Sequence, residues 1–229
     1  MTPNRSARTL ARSDREHRRL LSLHAFEDAA RARGYVYVGG VDEVGRGPLA
    51  GPVVAACVVA SGRLMLRGLN DSKQVRPERR EELAEGIRAL CAAWAIGSAS
   101  VDEIGRLNIY WASVLAMERA IAGVAVAPEY LITDAVRIPS FASPQESLTK
   151  GDARSAVVAA ASILAKVHRD RLLVELDAVE PRYGFAAHKG YATPQHLEAL
   201  RMHGPSIYHR LGFRRVRDAQ LALEGIVRD

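Results

Sequence analysis

Residues 41–52, Val-Asp-Glu-Val-Gly-Arg-Gly-Pro-Leu-Ala-Gly-Pro, constrain this chain more than any other stretch. They put two adjacent carboxylates, Asp42 and Glu43, at the mouth of a glycine-rich turn that carries one arginine. On either side lie strand-like apolar runs, residues 35–38 and 53–59, so the chain must reverse between two strands at an acidic edge. Neighbours on a regular strand face opposite sides, and the two acids can share a site only if the strand ends or bulges there. The Gly45-Arg46-Gly47-Pro48 sequence predicts such a break. Carboxylate oxygens suit a hard cation such as Mg²⁺ or Mn²⁺, and glycines let a backbone approach a ligand closely.

The same run also admits two plainer readings. Gly45, Gly47 and Ala50, with Asp71 about twenty residues further on, fit a dinucleotide fingerprint. That fingerprint needs a helix to open at the glycines, whereas Pro52 here leads into a β-branched run. A hairpin with an incidentally acidic surface is the other alternative.

The chain of 229 residues, 48% of them apolar, can bury one substantial core with a small appendage. Its net charge of +6 invites a polyanionic partner, but residues 1–33 hold eight Arg against four Asp and Glu and supply most of that excess. The first dozen residues read as a disordered basic tail, and residues 15–33 as a leading helix that Gly34 stops. No apolar run approaches the roughly 20 residues of a membrane-spanning helix. Cys57 and Cys91, the two cysteines, sit among apolar residues and suggest neither a disulfide framework nor a thiolate metal site, so a reduced, cytoplasmic setting is the expectation.

Strand and helix signals then alternate. A turn at residues 70–73 precedes a charged helix, Pro77–Leu90, and residues 94–99 form a third strand. Residues 102–122 carry one continuous helical stripe that includes Leu107 and Trp111. A short strand over 129–133 delivers Asp134 at its end, residues 138–144 are loop, and Asp152 precedes a long helix over 155–179. Its Ala159-Ala160-Ala161-Ser162 face is thin enough to lie close on a sheet. Beyond Pro181 come Tyr183-Gly184, His188-Lys189-Gly190-Tyr191 and a further helix over 194–202, which read as a helical appendage. Strands alternating with helices predict an α/β layer architecture.

Asp42, Glu43, Asp134 and Asp152 thus come from separate segments and could meet. Four carboxylates without a cation repel one another, and one or two divalent ions would relieve the repulsion and support displacement at phosphorus. Taken singly, Asp134 could simply start a turn and Asp152 cap a helix.

From about Tyr35 to Phe213 the chain resembles the ribonuclease HII family. The resemblance is carried by residues 41–53, Leu69-Asn70-Asp71-Ser72-Lys73, Asn108-Ile109 with Ala116-Met117, Lys150-Gly151-Asp152, residues 159–167 with Arg169-Asp170, and His188-Lys189-Gly190-Tyr191 with Thr193 and His196. It implies an RNase H-like mixed sheet flanked by helices, with a basic tail and leading helix over 1–33, a catalytic domain over 34–180 and a C-terminal helical segment over 181–229. It further implies a monomeric, metal-dependent endoribonuclease that hydrolyses the RNA strand of RNA–DNA hybrids and incises 5′ of single ribonucleotides in duplex DNA, leaving a 3′-hydroxyl and a 5′-phosphate. Asp42, Glu43, Asp134 and Asp152 would hold Mn²⁺ or Mg²⁺, and Gly45, Arg46 and Gly47 would form the backbone turn that senses the ribose 2′-hydroxyl. Tyr191 would pack on the sugar at the RNA–DNA junction, with Lys189, Ser72 and Lys73 contacting phosphate; His188, His209 and Arg210 are weaker candidates for backbone contacts. Tyr191 read as an anchor of the appendage, and Ser72 and Lys73 read as a capped turn, are the plainer alternatives. The sequence departs from the family pattern at Ala135, where Gly is usual, and at Gly212, where Ser is common.

Rival readings are a noncatalytic nucleic-acid-binding module, which predicts loss of a carboxylate, a nicotinamide-dependent oxidoreductase, and a DNA-cutting nuclease or transposase of similar fold, which has no use for a 2′-hydroxyl sensor.

Overall fold

A computed structural model describes residues 5–223 and Gly225. Five strands form one sheet: β1 (Val38–Val44), β2 (Val53–Ala60), β3 (Ala93–Ala99), β4 (Tyr130–Asp134) and β5 (Gln145–Leu148), in the order β3-β2-β1-β4-β5. The first three pair antiparallel, and β1, β4 and β5 run parallel. The expected RNase H-like mixed sheet flanked by helices is therefore what forms.

β2 is buried along its whole length because both faces of the sheet are covered. Val54, Ala56, Val58 and Ala60 enter the core under the long helix α6 (Ala156–Val179), while Val53, Ala55, Cys57 and Val59 enter the core on the other face. α5 (Ile109–Ala122) covers that second face. α6 lies so close to β1 that a Cβ on Gly40 would stand 2.3 Å from the Val157 carbonyl carbon. The thin alanine face of α6 and Gly40 thus account for each other, as its small residues predict. Ser155 caps α6, its hydroxyl accepting from Val158 N–H.

Ahead of the sheet stand α1 (Arg5–Leu23) and α2 (Ala25–Ala32), and α3 (Pro77–Leu90) follows β2. The predicted disordered tail is corrected here: residues 5–12 are helical, and only residues 1–4 of it lie outside the described residues. Instead of one leading helix there are two, broken at His24, whose Nδ1 meets the Leu20 carbonyl while Leu64 N–H donates to its Nε2. Leu20, Leu23 and Ala30 join the main core. Glu27, completely buried, accepts on Oε1 from Ser155 Oγ (2.7 Å) and Val157 N–H (2.9 Å), and so ties α2 to the start of α6.

Three further departures have local causes. β1 starts at Val38 rather than Tyr35 and carries the acid pair within it. The continuous helix over 102–122 is two, α4 (Val101–Leu107) and α5, because Asn108 takes φ +69° and its side chain caps α5. Trp111, assigned to the buried stripe, is 49% exposed in consequence. β5, missing from the sequence reading, is a short edge strand of mixed polarity.

After α6 the chain forms α7 (Phe185–His188), α8 (Pro194–His203) and α9 (Arg214–Leu223). Tyr183, Phe185, Leu200 and Val216 pack with Leu173 of α6 and with Leu49 and Ala50 of the glycine-rich loop. The C-terminal segment is thereby joined to the loop that follows the acids. Among the described residues no helix is long and apolar enough to cross a membrane.

Candidate active site

Parallel pairing of β1 with β4 aligns Val41 with Thr133, so the next residues, Asp42 and Asp134, end neighbouring strands at one edge of the sheet. The predicted bulge at the acid pair is absent: β1 keeps regular register with β2 through Val44. Asp42 shares the α6 face with Gly40, and Glu43 shares the opposite face with Val41. What unites them is the strand end, around which both carboxylates act on Asp134.

Asp152 arrives from another direction, in a short 3₁₀ turn before α6. Asp134 Oδ1 accepts from Gly151 N–H at 2.8 Å and fixes that turn against the end of β4. Neither plainer reading holds, since Ser155 and not Asp152 caps α6, and Asp134 holds a distant backbone rather than only its own turn. Ala135, where the sequence departs from the family pattern, has φ +54°, a conformation that favours glycine.

The electrostatics of this edge are those of crowded acids. Burial first, and then Glu43, Asp134 and Asp152, hold the Asp42 carboxyl well above the usual carboxylate range, against a hydrogen bond from Ser162. Burial likewise raises Glu43, with Arg46 opposing and Asp134 adding to the rise. Asp152 is raised by burial and by Asp71 and Asp134, while Lys73 lowers it. Asp71 is thus a fifth acid at this edge. The sequence reading left it without a role here, although it lies in the same motif as Ser72 and Lys73.

Basic groups offset the cluster only at its margins. Lys73 Nζ stands 3.8 Å from Asp152 Oδ2, and Arg46 Nη1 3.4 Å from Glu43 Oε1. Ser72 is buried, and its hydroxyl accepts from Ser162 Oγ at 2.9 Å, so it braces α6 rather than facing solvent as Lys73 does. Among the described residues no three of these acids converge on one point as metal ligands. Asp42 Oδ1 instead accepts from Glu43 N–H, and Asp134 Oδ1 from Gly151 N–H. The donor set itself, carboxylates alone and partly desolvated, has the chemistry of a site for a hard divalent cation.

Beyond the acids runs the loop of residues 45–52. Gly45 has φ +96°, and a Cβ there would meet Arg169 Nε at 2.3 Å. Arg46 and Gly47 are exposed, and a Cβ on Gly47 would come within 3.8 Å of the Tyr191 ring. Tyr191 is 43% exposed, which sets aside its reading as a buried anchor. Lys189, beside it, sits at φ +53° with its ammonium donating to the Ala186 carbonyl. His188 and His209, which sequence made weak candidates for backbone contacts, are buried instead with His196: the His188 and His196 rings stack at 4.4 Å, and His196 Nε2 meets His209 Nε2 at 3.0 Å. Arg210 is also buried, beneath the loop. A groove of about 930 Å³, lined by residues from 101–109 and 206–213, shares Arg210 with this region but none of the four acids.

The family model for ribonuclease HII matches residues 39–216. Ribonuclease HII of Myxococcus xanthus (strain DK1622) is 48% identical over 226 residues, covering 95% of this chain and 77% of that protein. Among solved structures, ribonuclease H2 from Pyrococcus horikoshii OT3 superposes with a TM-score of 0.73 at 25% identity, covering 82% of this chain and 99% of the other. Bst-RNase HIII, solved in complex with Mn²⁺, gives a TM-score of 0.62 at 20% identity over 85% of this chain and 72% of its own.

Proposed function

The chain belongs to the ribonuclease HII family, a family of metal-dependent endoribonucleases acting on RNA–DNA hybrids, and from that premise we propose that Asp42, Glu43, Asp134 and Asp152 are its catalytic, metal-binding carboxylates. The observation that carries this reading is the meeting of acids from three chain segments at one sheet edge, where those acting on Asp42 are chiefly other carboxylates. Mn²⁺ or Mg²⁺ bound there, as two ions, would neutralise the cluster and supply an activated water and charge stabilisation for in-line displacement at phosphorus. The Mn²⁺ held by Bst-RNase HIII supports a divalent ion of this kind without choosing between the two.

The chain's own residues give the reaction its direction. Asp42 and Glu43, on opposite faces of one strand end, grip the ion site from two sides. Asp134 fixes the Asp152 turn through Gly151 N–H, so two carboxylates are oriented by one hydrogen bond. Lys73, largely exposed beside Asp152, offers a phosphate contact, with Ser72 anchoring its turn to α6. Gly45, Arg46 and Gly47 present main-chain groups to the ribose 2′-hydroxyl, the group that separates RNA from DNA, and Tyr191 lies against Gly47 to pack on the sugar. Lys189 borders the same face. The substrate would then include single ribonucleotides embedded in duplex DNA, cut on their 5′ side to leave a 3′-hydroxyl and a 5′-phosphate.

The test is cleavage of a DNA duplex carrying one ribonucleotide, beside an all-DNA control, in EDTA, Mg²⁺ and Mn²⁺. A metal-dependent nick 5′ of the ribonucleotide and none in the control is expected. Equal cutting of the control would overturn the 2′-hydroxyl reading, and no cutting by folded, duplex-binding protein would overturn the catalytic one.

A further inference from the structure

Two guanidinium groups lie buried under the loop of residues 45–52, and neither owes its position to a carboxylate. Arg169 of α6 donates from Nε to Pro52 O (3.2 Å), from Nη2 to Ala50 O (3.2 Å) and from Nη1 to Lys189 O (3.1 Å). Arg210 donates from Nε and Nη2 to Gly51 O (2.9 and 2.7 Å), from Nη1 to Arg46 O (3.0 Å) and Pro48 O (2.8 Å), and from Nη2 to Gly45 O (2.6 Å). Both side chains are at most 1% exposed. Burial and the charge of Arg169 push Arg210 down to about 9, which leaves it charged at neutral pH.

A buried charge is tolerated only where dipoles of the right sign surround it. Here the loop supplies those dipoles, turning the carbonyls of Gly45, Arg46, Pro48, Ala50, Gly51 and Pro52 toward the two cations. The reverse orientation, with N–H groups pointing inward, would set positive dipole ends against positive charge. On the outer side, the N–H groups of Arg46 and Gly47 meet no protein acceptor among the described residues, and both residues are exposed next to Tyr191. Leu49 and Gly51, by contrast, spend their N–H groups on Gly190 O and Tyr208 O.

We propose that Arg169 and Arg210 are positioning residues for substrate selection: they set the polarity of the 45–52 loop, and so fix Arg46 and Gly47 N–H as its free donors toward the ribonucleotide. This rests on the reading of Gly45-Arg46-Gly47 as the 2′-hydroxyl-sensing turn. Lysine cannot take over either role, because a compact ammonium cannot span carbonyls that a planar fork reaches from three nitrogens.

The experiment compares Arg210→Lys, Arg169→Lys, Arg210→Ala and Gly47→Ala. It measures kcat and KM on a duplex with one ribonucleotide, Mn²⁺ affinity by electron paramagnetic resonance, and folding by circular dichroism. For Arg210→Lys the expected result is a loss of about 10²-fold in kcat/KM, the scale of a misplaced reacting group, with Mn²⁺ affinity kept within about twofold, because the acids lie outside the guanidinium contacts. Activity of Arg210→Ala should return in part with guanidinium chloride at tens of millimolar and not with equal sodium chloride. Wild-type kcat/KM in folded Arg210→Lys and Arg169→Lys would overturn the inference, as would loss of Mn²⁺ affinity parallel to the loss of activity. If Arg210→Ala does not fold, the two lysine variants decide. Unchanged cleavage by Gly47→Ala would bring down the sensing turn and this inference with it; impaired Gly47→Ala beside intact Arg210→Lys would bring down this inference alone.

Discussion

The two halves of the site solve opposite electrostatic problems in opposite ways. At the ends of β1 and β4 the chain gathers carboxylates whose mutual repulsion and burial raise Asp42, Glu43 and Asp152, and nearby cations touch only the margins. Under the 45–52 loop it gathers two buried cations and satisfies them entirely with its own carbonyls. The acidic half is completed from outside, and the basic half is complete as folded. A region left charge-unbalanced is one that awaits an ion, whereas a balanced one serves as a rigid template. Catalysis by displacement at phosphorus needs both, since the ions can act only on a backbone held in register.

The sharpest way to break this contrast is Asp42→Asn. Turnover should fall by at least about 10³-fold with one ligand charge gone, while duplex binding stays near wild type and the metal-free protein melts at a higher temperature because the repulsion is relieved. Calorimetry in EDTA with a parallel cleavage assay checks both, and a lower melting temperature would refute the view of Asp42 as an unbalanced buried charge. Next in size, Tyr191→Ala should weaken cleavage at single ribonucleotides by about 10-fold, the worth of one stacked contact, and weaken it less within long hybrids. Equal losses on both substrates would remove Tyr191 from the junction.

The template half has its own dependence on acid. Burial, followed in His209 by the neighbouring His196, pushes His196 down to about 4 and His209 to about 3. The unfolded chain, with histidines near 6.5, therefore takes up protons first. Stability from this cluster is full above about pH 6.5 and is lost as the pH falls toward 4. Melting temperatures across that range should show the decline, and His209→Gln should flatten it; an unchanged slope would mean the cluster does not stay neutral. The smallest effect belongs to the acidic half, where Ala135 at φ +54° should gain about 0.5 kcal/mol on conversion to Gly, backbone relief slightly exceeding the added chain entropy. Chemical denaturation would register it.

Legibility in the sequence followed how local each cause was. Pro77 and Ser155 marked the starts of α3 and α6 because caps act within one turn. The continuous burial of β2 showed in its unbroken apolar run. Asn108 hid the break between α4 and α5, since its residue type permits positive φ without requiring it. The acids were legible as a set, but their route to one site was not: register with β4, not a bulge, brings Asp42 beside Asp134. Least legible were Arg169 and Arg210, whose partners on the loop lie 117 to 165 residues away. Arg210 looked like a contact for nucleic acid because nothing in a linear sequence says that carbonyls surround it.

The tie between Glu27 and the start of α6 has a consequence for the growing chain. Its partners Ser155 and Val157 lie 128 and 130 residues downstream, and the hydrophobic side chains of Leu20 and Leu23 are buried in the same core. During synthesis at about 5–20 residues per second, α1 and α2 must therefore wait on the order of ten seconds before α6 exists to cover them. Contacts of such long sequence separation are closed late and slowly. The first segment to leave the ribosome is among the last to be secured, and its apolar face is the part of this protein most open to chaperones and to aggregation before folding is complete.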